Sequence, residues 1–190
     1  MELFYRQITP DLWGNCEKKI KRMNPDPITK DLYTKDSTLS LWYGDDPKDV
    51  ALAVVTNRSK VEDLFLLSFD KRQLRNWKIK QVNGNTNYKA FKKNHYDIMD
   101  LTLWKLSKFA AIIIKNLKNE YNIIPFTKDE LLKIIIDGIN SNKLDIDNLS
   151  PEFKKNHAAD LGLSVEEREK VRISLEKTHA KGIERLMEQK

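Results

Sequence analysis

Residues 97 to 117 constrain the fold of this chain more than any other stretch. Met99, Leu103, Leu106, Ala110, Ile113 and Leu117 recur at alternating spacings of four and three, which lines them up along one side of an α-helix. The unbroken run from Phe109 to Ile114 adds apolar residues on the remaining faces, so the second half of this helix is expected to be covered on most sides. A helix beginning near Asp97 is therefore the predicted core of the protein.

The segments before it read as strands and short helices. Residues 2 to 9, with Phe4, Tyr5 and Ile8, favour a strand that Pro10 stops. Asp11 offers an N-cap, and Leu12, Cys16, Ile20 and Met23 share a helical stripe. Pro25 and Pro27 place a loop over residues 24 to 36, in a position to border a cleft. Residues 38 to 43 alternate as a strand, with Leu39, Leu41 and Tyr43 on one face and Ser40 and Trp42 on the other. Asp46 as N-cap and Pro47 at the first helical position start a helix reaching about Asn57. The apolar run of residues 63 to 69 predicts a strand covered on both faces, and residues 77 to 82 predict an edge strand with Lys78 and Lys80 outward.

Beyond the central helix the pattern is helical. Thr127 with Glu130 forms a capping box, Ser150-Pro151 opens another helix, and Ser164 with Glu167 opens the last, whose Val171, Leu175, Ile183 and Leu186 form one apolar stripe. The predicted class is α+β: a mixed sheet with a long central helix over residues 1–118, then a wholly helical portion over 119–190.

Charge is segregated along the chain. Between Lys71 and Lys118 twelve basic residues stand against Asp97 and Asp100, a net of +10 in a protein whose total is +6. Such asymmetry points to an anionic partner. Lys78, Lys80, Lys89, Lys92 and Lys93 can neutralise phosphates, while Tyr88, Phe91 and Tyr96 among them can stack on unpaired bases; single-stranded nucleic acid or RNA fits that mixture, and an acidic protein is the other candidate. No apolar run reaches the roughly 18 residues of a membrane span, no leader peptide is read at the N-terminus, and the lone Cys16 agrees with a reducing cytoplasm.

Catalytic signals are sparse. His95, His157, His179 and Cys16 show no metal-ligand spacing, and Asp145-Ile146-Asp147 fails the calcium-loop pattern because Ser150 and Asn156 stand where glycine and glutamate are needed, so no metal is expected. Phosphate-loop, dinucleotide-fingerprint and nucleophile-elbow motifs are absent. Cys16 on an apolar stripe reads as an inert thiol. His95, just before the central helix, is a candidate general acid or base, or else a cap or gap filler.

The opening Leu3-Phe4-Tyr5-Arg6, a following helix and then Ser37-Thr38-Leu39-Ser40-Leu41-Trp42 on a strand resemble the first part of small ADP-ribosyltransferase-like bacterial toxin domains. In that family an arginine and a serine strand position NAD, and a later glutamate orients the ribose. The resemblance implies that Arg6 holds the dinucleotide phosphates by charge-assisted hydrogen bonds and that Ser37, Thr38 and Ser40 shape the nicotinamide pocket. Glu62 is a loose candidate for the acid. Three readings follow: a cytoplasmic nucleic-acid-binding protein, an NAD-using toxin or defence enzyme with Arg6, Ser40 and His95 in its site, and an inhibitor or antitoxin-like module that docks through its last helix.

Overall fold

The computed structural model describes residues 3–13, 30–32 and 36–188. Its strands are β1 (Leu3–Ile8), β2 (Leu39–Tyr43), β3 (Leu64–Asp70), β4 (Ile79–Gln81), β5 (His95–Ile98) and β6 (Ile123–Phe126). They form one sheet in the order β4-β5-β2-β1-β3-β6. All five pairings are antiparallel, so the sheet is uniform in sense where a mixed one was expected. Among the described residues the α-helices are α1 (Pro10–Trp13), α2 (Pro47–Val55), α3 (Leu103–Leu117), α4 (Lys128–Asn140), α5 (Pro151–Asn156) and α6 (Val165–Glu188). The class is α+β with a helical C-terminal part.

Strand alternation divides the core between the two faces of the sheet. Tyr5, Trp42, Leu64 and Leu66 point to one side, where Val50, Leu52 and Val55 of α2, Leu131 and Ile135 of α4 and Phe153 of α5 cover them. Phe4, Leu41, Leu67, Phe69 and Ile98 point to the other side and are covered by Leu106, Phe109, Ala110 and Ile113 of α3. Thus β3 is buried on both faces, as its unbroken apolar run requires. β4 is the edge strand, shorter than the sequence indicates.

Three starts follow the sequence closely. Asp46 accepts a hydrogen bond from the Lys48 N–H and Pro47 opens α2; Thr127 and Glu130 form the reciprocal box at α4; Ser150 caps α5. The central helix differs. It begins at Leu103 with Thr102 as N-cap, because residues 95 to 98 pair with β2 and β4 instead, and Asp100 takes a left-handed φ of 56° between strand and helix. Met99 and Leu103 therefore fall outside the stripe, and Leu103 is 83% exposed. The portion after residue 118 is not wholly helical, since it supplies β6, which pairs with β3. Cys16, Ile20 and Met23 lie outside the described residues, as do the side chains of Ile183 and Leu186.

Candidate active site

A cleft of about 680 Å³ opens on the α2 side of the sheet. Its lining brings together Arg6, Ser40 and His95, which lie up to 89 positions apart in sequence, and adds Asp97, Trp42 and Asn57. The register explains the convergence. Ser40 lies opposite Asp97 and Trp42 opposite His95 across the β2–β5 pair, so all four side chains share one face. The loop carrying Val82, Asn83 and Asn85 and the end of α2 wall the cleft, and Lys30 and Asp31 border it.

Arg6 sits where two central strands part. The β1–β2 ladder holds Phe4↔Tyr43 and Tyr5↔Trp42, whereas β1–β3 continues to Ile8↔Phe65. Beyond Trp42 the Arg6 guanidinium takes over: Nη1 donates to the Ser40 carbonyl at 2.7 Å, and Nε donates to the Asp31 carbonyl at 3.1 Å, joined there by Nη2. The Asp31 carboxylate is already engaged by the Thr9 N–H (2.8 Å), the Thr9 hydroxyl (2.9 Å) and the Trp13 indole N–H (2.7 Å). Arg6 is thus fixed by neutral carbonyl oxygens at the border of the cleft. Desolvation pulls it down to about 10 while Asp31 pulls it up, and it remains cationic at neutral pH.

Asp97 is the carboxylate at the centre of the polar floor. Ser40 Oγ donates to its Oδ1 at 3.3 Å, and His95 Nε2 stands 3.9 Å from the same oxygen. His95 is buried, packs edge to face on Trp42 at 4.8 Å, and its Nδ1 is sealed off without a hydrogen-bond partner. Burial pulls the imidazole below its ordinary pKa against the opposing pull of Asp97. A proton on Nδ1 would be a buried, unsatisfied donor, so the favoured neutral form carries its proton on Nε2, facing Asp97. In that form the Nε2–H faces the Asp97 carboxylate.

The wall opposite is held by backbone contacts. The Val82 N–H donates to the His95 carbonyl (3.0 Å) and the Gly84 N–H to the Lys92 carbonyl (2.8 Å). The Asn57 amide donates to the Asn85 carbonyl and the Asn87 amide to the Thr56 carbonyl, which ties this loop to the end of α2.

Other sequence candidates lie elsewhere. Ser37 is exposed with a left-handed φ of 55°, its carbonyl accepting the Leu101 N–H, and neither it nor Thr38 lines the cleft. Glu62 is exposed and paired with Lys60. Tyr88 and Phe91 are not free to stack on bases: both are buried, face to face at 5.3 Å, with Phe91 also stacked on Trp42. Tyr96 packs against Phe4 and Tyr43 on the opposite sheet face. Lys80, Lys89 and Lys93 are exposed and Lys92 half-buried, while Lys78 pairs with Asp100 at 2.8 Å. Asp97 is absent from the sequence candidates because the apolar stripe assigns it to the start of the central helix. Its spacing of two from His95, on a strand, was the signal that both share a face. No family model, curated protein or solved structure matches the chain.

Proposed function

We propose that the cleft is the active site of an NAD-using, ADP-ribosyltransferase-like enzyme. The observation that carries this reading is the meeting of Arg6, Ser40 and Asp97 in one cleft, held by the Arg6 bond to the Ser40 carbonyl and the Ser40 bond to Asp97. An arginine on a first strand, a serine on a second and a later acid beside them is the arrangement that the resemblance of the opening residues implies. Asp97 takes the acid's part in place of Glu62.

In this reading Arg6 attracts the diphosphate, with Lys30 at the rim, and the part of Trp42 that lines the cleft borders the nicotinamide. Asp97 accepts a hydrogen bond from a ribose hydroxyl, and its charge opposes the positive charge developing on the ribosyl carbon. The bond between nicotinamide and ribose breaks with its electron pair leaving on nicotinamide. The acceptor's lone pair forms the new bond, and the acceptor's proton passes to solvent. His95 Nε2 faces Asp97 at 3.9 Å.

Thermal unfolding with and without NAD, together with nicotinamide release, tests the proposal. NAD should raise the midpoint of the wild-type chain, and Arg6→Ala should abolish that rise. Arg6→Lys keeps a cation and guards against a fold lost with the bonds to Ser40 and Asp31. Asp97→Asn should retain NAD binding yet slow nicotinamide release on the order of a hundredfold, the scale of one electrostatic group in a transition state. A folded wild-type protein that neither gains stability from NAD nor releases nicotinamide would sink the reading.

A further inference from the structure

The lysine-rich segment owes its partner-binding potential to a different place from the one its sequence indicates. Tyr88 and Phe91 are interior, yet α3 presents an exposed aromatic. Trp104 is 69% exposed, and Trp104, Lys108, Ala111, Lys115 and Lys118 follow one another at spacings of four, three, four and three, all exposed. That spacing puts them in a single row on the solvent side of α3, opposite the Phe109, Ala110 and Ile113 side that is pressed onto the sheet. The helix contains no acidic residue. Among the described residues, none of Lys108, Lys115 and Lys118 is paired with a carboxylate, unlike Lys78 with Asp100. The Lys108 ammonium lies 5.0 Å above the Trp104 ring, so cation and aromatic face form one surface. At the far end of the row Tyr121 is 94% exposed.

We infer that this row is a docking surface for single-stranded nucleic acid. It runs the length of the 15-residue α3, about 22 Å, long enough for several nucleotides. Three unpaired ammonium groups in line match a phosphate backbone, and the Trp104 ring offers a stacking platform to an unpaired base. A duplex keeps its bases stacked on one another, so it would use the lysines and forgo the ring. An acidic protein would meet the charge alone. The row lies on the far side of the sheet from Ser40, Trp42, His95 and Asp97, so docking there leaves the cleft open. The inference stands independently of the proposed chemistry.

The test is fluorescence anisotropy of labelled 20-mers, oligouridylate and oligothymidylate as the single strands, with a duplex of equal length and phosphatidylserine vesicles as competitors. The wild-type chain should bind both single strands at low salt, more tightly than the duplex. The Lys108→Glu/Lys115→Glu/Lys118→Glu variant should bind at least about tenfold more weakly, with the slope of log affinity against log salt reduced by about 2. Trp104→Ala should lose the preference for single strand over duplex. All four positions are exposed and none lines the cleft, so NAD-dependent stabilisation should be unchanged in both variants. Absent binding at low salt, binding indifferent to these substitutions, or displacement by vesicles with no single-strand preference overturns the inference.

Discussion

A Cβ placed on Gly84 would lie 2.7 Å from His95 Cβ and 2.9 Å from Trp42 Cζ3, closer than real side-chain carbons approach one another. Both neighbours are buried and both line the cleft, so neither ring can yield without moving the floor. Gly84→Ala is expected to destabilise the fold by about 1–3 kcal/mol, the usual cost of overpacking, with the loss read from the urea midpoint. Wild-type stability would show that the loop shifts freely, and the cleft wall would then not be fixed as described. At this scale the sequence displayed residue types but not their company. Arg6, Ser40 and His95 could be named because each bears chemistry, whereas Phe91, which stacks on Tyr88, packs on Trp42, a residue far away in the chain.

The central helix separates local pattern from tertiary demand. Its second half reads from sequence because Leu106, Phe109, Ala110 and Ile113 are apolar at helical spacing and nothing competes with that arrangement. Its expected first turns were lost because residues 95 to 98 gain two strand partners, a choice that no window of local sequence contains. The two halves should differ accordingly under substitution. Phe109→Ala, in a fully buried position between Phe69 and Trp77, should cost about 3–5 kcal/mol, while Leu103→Ala should change stability by less than about 0.5 kcal/mol. Comparable losses at both positions in denaturant titrations would contradict the observed helix start. Over its first turns helix α6 docks on the body of the protein, where Leu175 is buried and α6 packs on α5.

The stability of the whole molecule inherits a pH dependence from the cleft. His95 has a folded pKa below its unfolded value near 6.5, so the unfolded chain binds the extra proton first as pH falls. The contribution of neutral His95 is fully present above about 6.5 and declines as pH drops from there towards the lower folded value. Measured by urea unfolding between about pH 5 and 7.5, His95→Gln should show a flatter decline than the wild-type chain; equal slopes would mean that His95 is as easily protonated folded as unfolded. On this scale the sequence by itself determined the α+β class, the helix starts at Asp46, Thr127 and Ser150, the edge position of β4 and the excess of positive charge. Those features arise from periodicity, capping chemistry and composition, which act within a few residues. Only the tertiary structure decided that Arg6, Ser40, His95 and Asp97 meet, that Trp104 is exposed and Tyr88 is not, and that the cleft and the lysine row occupy opposite sides of the sheet. Strand register and the choice of covering face are settled by contacts between distant segments, and a shift of one residue in the β2–β5 register would have turned the strand side chains of the cleft floor to the other face.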